Sequence, residues 1–145
     1  MIKTIDVLMV DDDPGDVRLT QEVLKADKAN IRMTVCVDGQ DSMDYLHRTG
    51  KYANATRPDV ILMDINMPRK NGLEALREIK ANPGLCEIPV VILTTSDSDA
   101  DVYAAFRAMA AFFVTKPANL PKFRQVIQDL GKYWTSISRV PPKSQ

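Results

Sequence analysis

Short apolar runs alternate along the chain with longer stretches whose apolar residues recur at helical spacing. The runs occupy residues 5–10, 31–37, 60–63, 90–93 and 112–115. Their length and their β-branched content predict strands, and the runs that are apolar throughout predict strands buried on both faces of a parallel sheet. The 31–37 run alternates apolar and polar residues instead, which predicts a strand nearer the edge of the sheet.

Helical patterns separate these runs, starting at Pro14 and then spanning about residues 40–48, 72–81, 100–110 and 120–137. Asp13 is a suitable N-cap for the first helix, and Asp16 is an acid in its first turn. Strict alternation of strand and helix predicts an α/β fold with a five-stranded parallel doubly wound sheet and five helices. Ligands of such sheets bind outside the carboxyl ends of the strands.

Polar residues follow four of the five predicted strands at those ends. They are Asp11, Asp12 and Asp13 after the first strand, Asp64 and Asn66 after the third, Thr94, Thr95 and Ser96 after the fourth, and Lys116 after the fifth. Carboxylates brought together repel one another, so a fold that gathers them favours a bound cation. Oxygen ligands without His or Cys indicate Mg²⁺ or a similar divalent ion, and the Lys and Thr suit a phosphoryl group.

Four segments carry a resemblance to a known family. They read VLMVDDDPGDVRL from residue 7, DVILMDINMPRKNG from residue 59, IPVVILTTS from residue 88 and FFVTKP from residue 112. Together they resemble the receiver domain of response regulators in bacterial two-component systems. The resemblance implies a flavodoxin-like sheet with strand order 2-1-3-4-5. On this basis we expect a receiver domain over residues 1–138 with an extended last helix, and a disordered tail over 139–145.

The resemblance also implies a role for each residue at the strand ends. Asp64 is expected to be the phosphoacceptor, in a reaction that requires Mg²⁺. The implied metal ligands are Asp11, Asp12, Asp64 and the carbonyl group of Asn66. The implied phosphoryl-binding and switch residues are Lys116, the hydroxyl of Thr94 and the ring of Phe113. Phe113 stands where receivers often have Tyr, so its ring has no hydroxyl group to bond when it moves.

Charge and cysteine content indicate which partners and which cellular compartment we expect for the protein. The chain has 145 residues, with 19 Lys and Arg against 19 Asp and Glu. This balance gives no overall attraction to nucleic acid or to an anionic membrane. No apolar run approaches the ~18 residues of a membrane span. Cys36 and Cys86 lack C-x-x-C spacing, which favours buried, reduced cysteines in a cytoplasmic protein. The one histidine, His47, is expected at the surface.

The segment after residue 137 is too short for an output domain, so we expect a stand-alone receiver that acts by protein contact or phosphoryl relay. Loops add a narrower resemblance. Residues 45–62, residues 82–96 and the last helix with Tyr133 and Trp134 are similar to a group of single-domain receivers. The members of that group often partner bacterial phytochromes and other soluble sensor histidine kinases. A sensor histidine kinase is therefore the expected partner.

The last predicted helix also suggests a homodimer. Its apolar residues recur at steps of three and four, at Leu120, Phe123, Ile127, Leu130, Trp134 and Ile137. Such steps resemble a heptad seam. The first half can pack on its own domain, whereas Tyr133, Trp134 and Ile137 lie beyond it and predict an exposed apolar patch for dimerisation. In the alternative interpretation the helix bends back, and Trp134 covers the core of its own domain.

Three other functions remain as alternatives. A phosphatase of the haloacid dehalogenase type needs a second Asp two residues after its nucleophile, where this chain has Asn66. A flavodoxin-type electron carrier needs Ser, Thr and Gly after the first strand to bind phosphate, where this chain reads DDDPGD. A receiver-like adaptor that works without phosphorylation needs no acceptor residues, yet all of them are present.

Overall fold

The structure, a computed structural model, describes residues 4–26 and 30–134. Five parallel strands form one sheet in the order β2-β1-β3-β4-β5. The strands are β1 (Ile5–Val10), β2 (Ile31–Cys36), β3 (Val60–Met63), β4 (Val90–Thr94) and β5 (Phe112–Thr115). The strand order reverses between β1 and β3, where a doubly wound sheet opens its binding crevice. The predicted sheet, its order and the edge position of β2 are confirmed.

Five α-helices cover the two faces of the sheet in the part of the chain that the structure describes. They are α1 (Pro14–Ala26), α2 (Gly39–Leu46), α3 (Gly72–Ala81), α4 (Asp99–Arg107) and α5 (Leu120–Lys132). A short 3-10 turn follows α2. Helix α1 packs beside α5 on one face, and α3 packs beside α2 and α4 on the other. None of the described helices combines the length and the apolar character that a membrane crossing requires.

The alternating side chains of the central strands build one core on each face of the sheet. Leu8 and Ile61 belong to the core under α2, α3 and α4, which also contains Leu76. Met9 and Leu62 belong to the core on the other face. Every residue of β1, β3 and β4 is buried. All three strands are therefore covered on both faces, as the apolar sequences of β3 and β4 predict.

Local backbone geometry explains where the helices begin and end. The prediction that Asp13 is the N-cap of α1 is confirmed, since its Oδ1 accepts hydrogen bonds from the backbone N–H groups of Gly15 at 2.9 Å and Asp16 at 3.2 Å. Helices α2 and α4 end at Leu46 and Arg107, before the predicted residues 48 and 110. Arg48 and Met109 have left-handed backbones, with φ of 56° and 71°. A left-handed residue cannot continue a right-handed helix, so each helix is shorter than its sequence pattern.

The end of α5 corrects the prediction for Trp134. The helix ends at Lys132, and Tyr133 and Trp134 continue in a wider π-type turn. Trp134 is only 5% exposed and packs in the core that contains Val7 and Met9. The prediction that Trp134 forms an exposed dimerisation patch is wrong, because the turn directs its indole ring back onto the sheet. Tyr133 stays 38% exposed, whereas Ile137 and the tail 139–145 lie outside the described residues.

Cys36 and His47 lie where the sequence predicts, whereas Cys86, which the sequence predicts to be buried, is only partly buried in the turn before β4. Both cysteines are free, and burial raises the pKa of the Cys36 thiol to about 12. A thiol with so high a pKa is unreactive at neutral pH. His47 follows α2 and is exposed.

Candidate functional site at the carboxyl edge of the sheet

Asp11, Asp64 and Lys116 each come one residue after a strand and stay attached to the sheet by backbone hydrogen bonds. The Asp11 N–H group donates to the Cys36 carbonyl at 3.0 Å, and the Asp64 N–H group donates to the Val10 carbonyl at 3.0 Å. The Lys116 N–H group donates to the Thr94 carbonyl at 2.6 Å. Because the sheet holds these residues by their backbones, their side chains start from fixed positions.

Lys116 lies at the centre of the site. Its Nζ donates to Oδ2 of Asp11 at 2.6 Å, to Oδ2 of Asp16 at 2.8 Å and to Oδ2 of Asp64 at 3.0 Å. The Lys116 side chain is 3% exposed, so these ion pairs are largely shielded from water. Two of the three carboxylates are those that the sequence predicts for the site, and the third, Asp16, comes from the first turn of α1.

The oxygens of the two buried carboxylates are fixed individually. Oδ1 of Asp11 accepts the backbone N–H group of Asp13 at 2.9 Å, and Oδ1 of Asp64 accepts that of Ile65 at 2.7 Å. The second oxygen of each carboxylate contacts Lys116. Asp12, in contrast, is exposed. The carboxylates of Asp11 and Asp64 are therefore held in defined orientations.

The electrostatics of the site favour an additional positive charge. Burial raises the pKa of Asp11, and the negative charge of Asp64 raises it too, although Lys116 and the Asp13 N–H group act in the opposite direction. Burial alone lowers the pKa of Lys116, but its hydrogen bonds to Asp11 and Asp16 outweigh burial and raise that pKa well above its ordinary value. Excess negative charge is thus costly here, and a cation relieves the cost.

Three carboxylates form a group that fits a metal ion. Asp11, Asp12 and Asp64 each offer one carboxylate oxygen, and these oxygens lie within 4.8 Å of one another. A set made only of hard oxygen ligands suits Mg²⁺ or a similar divalent cation. Asn66 lies two residues beyond Asp64 and is exposed. A metal bond to its carbonyl group stays a prediction.

Thr94 and Phe113 lie on the side of the site that faces α4. Thr94 is fully buried, and its Oγ1 accepts the backbone N–H group of Ser96 at 3.4 Å. Ser96 in turn donates from Oγ to Oδ2 of Asp101, in the first turn of α4, at 2.5 Å. The Phe113 ring is partly buried against the core beneath α4. A series of contacts therefore runs from the Thr94 hydroxyl to α4.

Sequence reasoning missed the contact between Asp16 and Lys116. The sequence places Asp16 at the start of α1, and this helix begins at the same edge of the sheet. An acid in a first turn is commonly present because it stabilises the helix dipole. Only the packing of α1 on the sheet decides whether such a side chain faces solvent or Lys116.

Fold and site together define a class of protein. It has a doubly wound parallel sheet with an acid pair, a further acid and a lysine at the carboxyl edge. The response regulator receiver domain matches residues 7–128, and the chain therefore belongs to the response regulator receiver family, a family of signalling proteins.

Individual relatives agree with this assignment. The response regulator Rcp1 of Synechocystis is 39% identical over 135 residues, covering 93% of this chain and 92% of Rcp1. The structure of the phosphorylated cyanobacterial phytochrome response regulator RcpA superposes with a TM-score of 0.93, at 37% identity, over 97% of this chain and 100% of RcpA. The Mn²⁺-bound form of Rcp1 gives a TM-score of 0.92, at 38% identity, over 95% of this chain and 99% of that structure.

Proposed function

We propose that this receiver accepts a phosphoryl group from a sensor histidine kinase onto Asp64, in a reaction that depends on Mg²⁺. Phosphorylation then changes a protein-interaction face or supplies the phosphoryl group to a further relay partner. The observation that carries the proposal is the convergence of Asp11, Asp64 and Lys116 at the carboxyl edge of the sheet, with the contacts and burial given above.

The residues divide the work of phosphoryl transfer. An oxygen of Asp64 attacks phosphorus while the bond between phosphorus and the imidazole nitrogen of the donor breaks. Lys116 stabilises the negative charge that spreads over the phosphoryl oxygens. We assign Mg²⁺ to Asp11, Asp12, Asp64 and the Asn66 carbonyl group. When bound there, it neutralises phosphoryl charge and aids alignment. The fixed orientation of the Asp64 carboxylate reduces the entropy cost of the attack.

We propose that the signal leaves the site through Thr94 and Phe113. A new phosphoryl group attracts the Thr94 hydroxyl, which gives up its contact with the Ser96 N–H group. The loop that carries Ser96 and its partner Asp101 then changes its position at the start of α4. As Thr94 moves, the Phe113 ring gains room to turn inward. A local change in hydrogen bonding thus biases the surface formed by α4, β5 and α5.

That surface has the apolar character of an interaction site. The exposed fractions of its large side chains are 49% for Phe106, 70% for Met109, 45% for Phe112 and 38% for Tyr133. The rings of Phe112 and Tyr133 contact each other. Exposed apolar side chains that lie together mark protein contacts. We propose that this surface, the α4–β5–α5 face, binds a protein partner or a second copy of the chain. The balanced net charge gives no support to a nucleic-acid partner.

The proposed kinase belongs to the phytochrome class or to related sensor kinases. The support is the similarity to RcpA, a phytochrome response regulator, together with the loops of residues 45–62 and 82–96. We further propose that the protein acts in the cytoplasm. Its free cysteines, one of them buried with a high pKa, fit a reducing compartment.

Labelling by a small phosphoryl donor tests the proposed function. We expect acetyl phosphate to phosphorylate the wild-type protein with Mg²⁺ and not with excess chelator. Asp64→Asn should accept no stable label while staying folded, because it removes the nucleophile and nearly conserves volume. Asp59 is buried at the other end of β3, away from the site. Asp59→Asn is therefore a control that should still be labelled. Equal labelling of Asp64→Asn and wild type would contradict the assignment, and an unlabelled wild type would favour the adaptor alternative.

A further inference from the structure

Asp16 contributes to the site although it is outside the group of carboxylates that fits a metal. Among the described residues, the oxygens that lie close enough together for a shared ion belong to Asp11, Asp12 and Asp64. Asp16 instead contacts the Lys116 ammonium at 2.8 Å from the first turn of α1. Its side chain is 23% exposed, compared with 2% for Asp11 and 10% for Asp64.

The three contacts of Lys116 change in different ways during the proposed reaction. An ammonium group has three N–H donors, and three carboxylates occupy all of them. The contact with Asp64 is the one that a new phosphoryl oxygen replaces. Asp11 also contacts any metal ion that the three carboxylates bind. Neither phosphorylation of Asp64 nor metal binding removes the contact between Asp16 and Lys116, so Asp16 can hold the ammonium group throughout the reaction.

We propose that Asp16 is a positioning residue for phosphoryl transfer, which anchors Lys116 so that one N–H stays directed at Asp64 and at the group it receives. The lysine stem has four flexible methylene groups and does not orient its own ammonium. Anchoring lowers the entropy cost of bringing the ammonium to the phosphoryl oxygens. The inference rests on the proposed phosphorylation of Asp64 and adds a residue from α1 to it.

The test compares initial rates of acetyl phosphate labelling at Mg²⁺ concentrations that saturate each variant. We expect Asp16→Ala to be about tenfold slower than wild type, because a charge-assisted hydrogen bond to Lys116 is lost. Asp16→Asn should recover most of the rate, since its amide oxygen still accepts an N–H from Lys116. If Asp16 serves only as a first-turn charge for α1, both variants lose that charge and should be equally slow.

A matched control separates positioning from helix stability. Leu24→Ala removes a buried side chain of α1 two turns beyond Asp16, from a core cluster that contains none of the site residues. It should lower the melting temperature at least as much as Asp16→Ala, yet label at the wild-type rate. A wild-type rate for Asp16→Ala, or an equal slowing in Asp16→Asn or Leu24→Ala, would overturn the inference. An unlabelled wild type would instead refute the proposed function, and the inference with it.

Discussion

Asp12 differs from its neighbours at the site in its exposure. Asp11 and Lys116 are buried together, and removing either one leaves an uncompensated charge, which is strongly destabilising. Asp12 is exposed and belongs to the group of carboxylates that fits a metal. Its carboxylate can therefore be removed without exposing a buried partner.

We expect Asp12→Ala to weaken Mg²⁺ binding by tenfold or more, because one of three carboxylates in the group is lost. Without Mg²⁺ the variant should be at least as stable as wild type, since repulsion between carboxylates is relieved. Calorimetric titration with Mg²⁺ and thermal unfolding without it give the two values. Glu87→Ala, at the opposite edge of the sheet, is the control. Unchanged Mg²⁺ affinity combined with lower stability of Asp12→Ala would contradict this role.

Asp38 and Arg69 connect α2 to the loop after β3. Burial raises the pKa of Asp38, but hydrogen bonds from the Arg69 guanidinium group at 2.8 and 3.1 Å and from the Asp41 N–H group outweigh burial and lower it. A lowered carboxyl pKa stabilises the folded state above the unfolded pKa of about 3.9. That stabilisation is lost as the pH falls through the folded pKa.

The free energy of unfolding should therefore fall less between pH 7 and pH 3 in Arg69→Ala than in wild type. The difference between the two proteins should be modest, because the Arg69 side chain is 58% exposed and water screens its ion pair. Urea unfolding at both pH values measures it. Arg18→Ala serves as the control, since it removes an ion pair with Glu22 whose two side chains are 82% and 58% exposed. Equal acid sensitivity of wild type and Arg69→Ala would show that Arg69 does not lower the Asp38 pKa.

Residue by residue, the sequence predicts the parts of the site that are attached to the sheet. Asp11, Asp64 and Lys116 each follow a strand, and the carboxyl ends of parallel strands lie at one edge. Their meeting can be deduced without coordinates. Asp16 belongs to a helix, and the direction of its side chain depends on the rotation of α1 against the sheet. No sequence pattern specifies that rotation for a single polar residue.

The predicted bounds of strands and helices match the structure closely, except where the backbone leaves the regular conformation. Strand β3 and helix α3 have the bounds that apolar spacing predicts, and the structure adds a capping box between Asn71 and Glu74 at the start of α3. The apolar spacing of α5 continues to Ile137, yet the regular helix ends at Lys132. Spacing of three and four residues fits both a straight helix and one that widens into a π-type turn. Packing of Trp134 on the sheet decides between them.

The burial of Trp134 predicts a large cost when its side chain is removed. Trp134→Ala should destabilise the protein by about 3–5 kcal/mol, because it leaves a cavity in the core beside Val7 and Met9. Tyr133→Ala is the adjacent control and should cost about 1 kcal/mol or less, since that ring is 38% exposed. Chemical denaturation measures both values. Similar small effects for the two variants would mean that Trp134 does not pack in the core.

For the whole molecule, strand order could be stated only through the family resemblance. Alternation of strands and helices predicts a parallel sheet, but several orders satisfy it. The sequence also does not show that the exposed residues of the α4–β5–α5 face share one surface, because they come from separate elements. Phe112 and Tyr133, for example, are distant in sequence, yet their ring centroids lie 5.8 Å apart.

We expect any homodimer of this chain to use the α4–β5–α5 face and not Trp134. The double variant Phe112→Ala, Tyr133→Ala should shift the protein towards monomer, because it removes two exposed aromatic rings from the proposed contact. Sedimentation equilibrium with and without phosphorylation reports the association. Leu19→Ala, on α1, is a control that should leave the association unchanged. A wild type that stays monomeric at high concentration in both states would contradict the dimer.

Locating the phosphoryl group tests the central claim most directly. Borohydride reduces an aspartyl phosphate to homoserine, which peptide mass spectrometry assigns to one position of the chain. After incubation with acetyl phosphate and Mg²⁺, we expect homoserine at position 64, and none there when Mg²⁺ is chelated. Homoserine at Asp11 or Asp12, or equal conversion of Asp64 without Mg²⁺, would contradict the account.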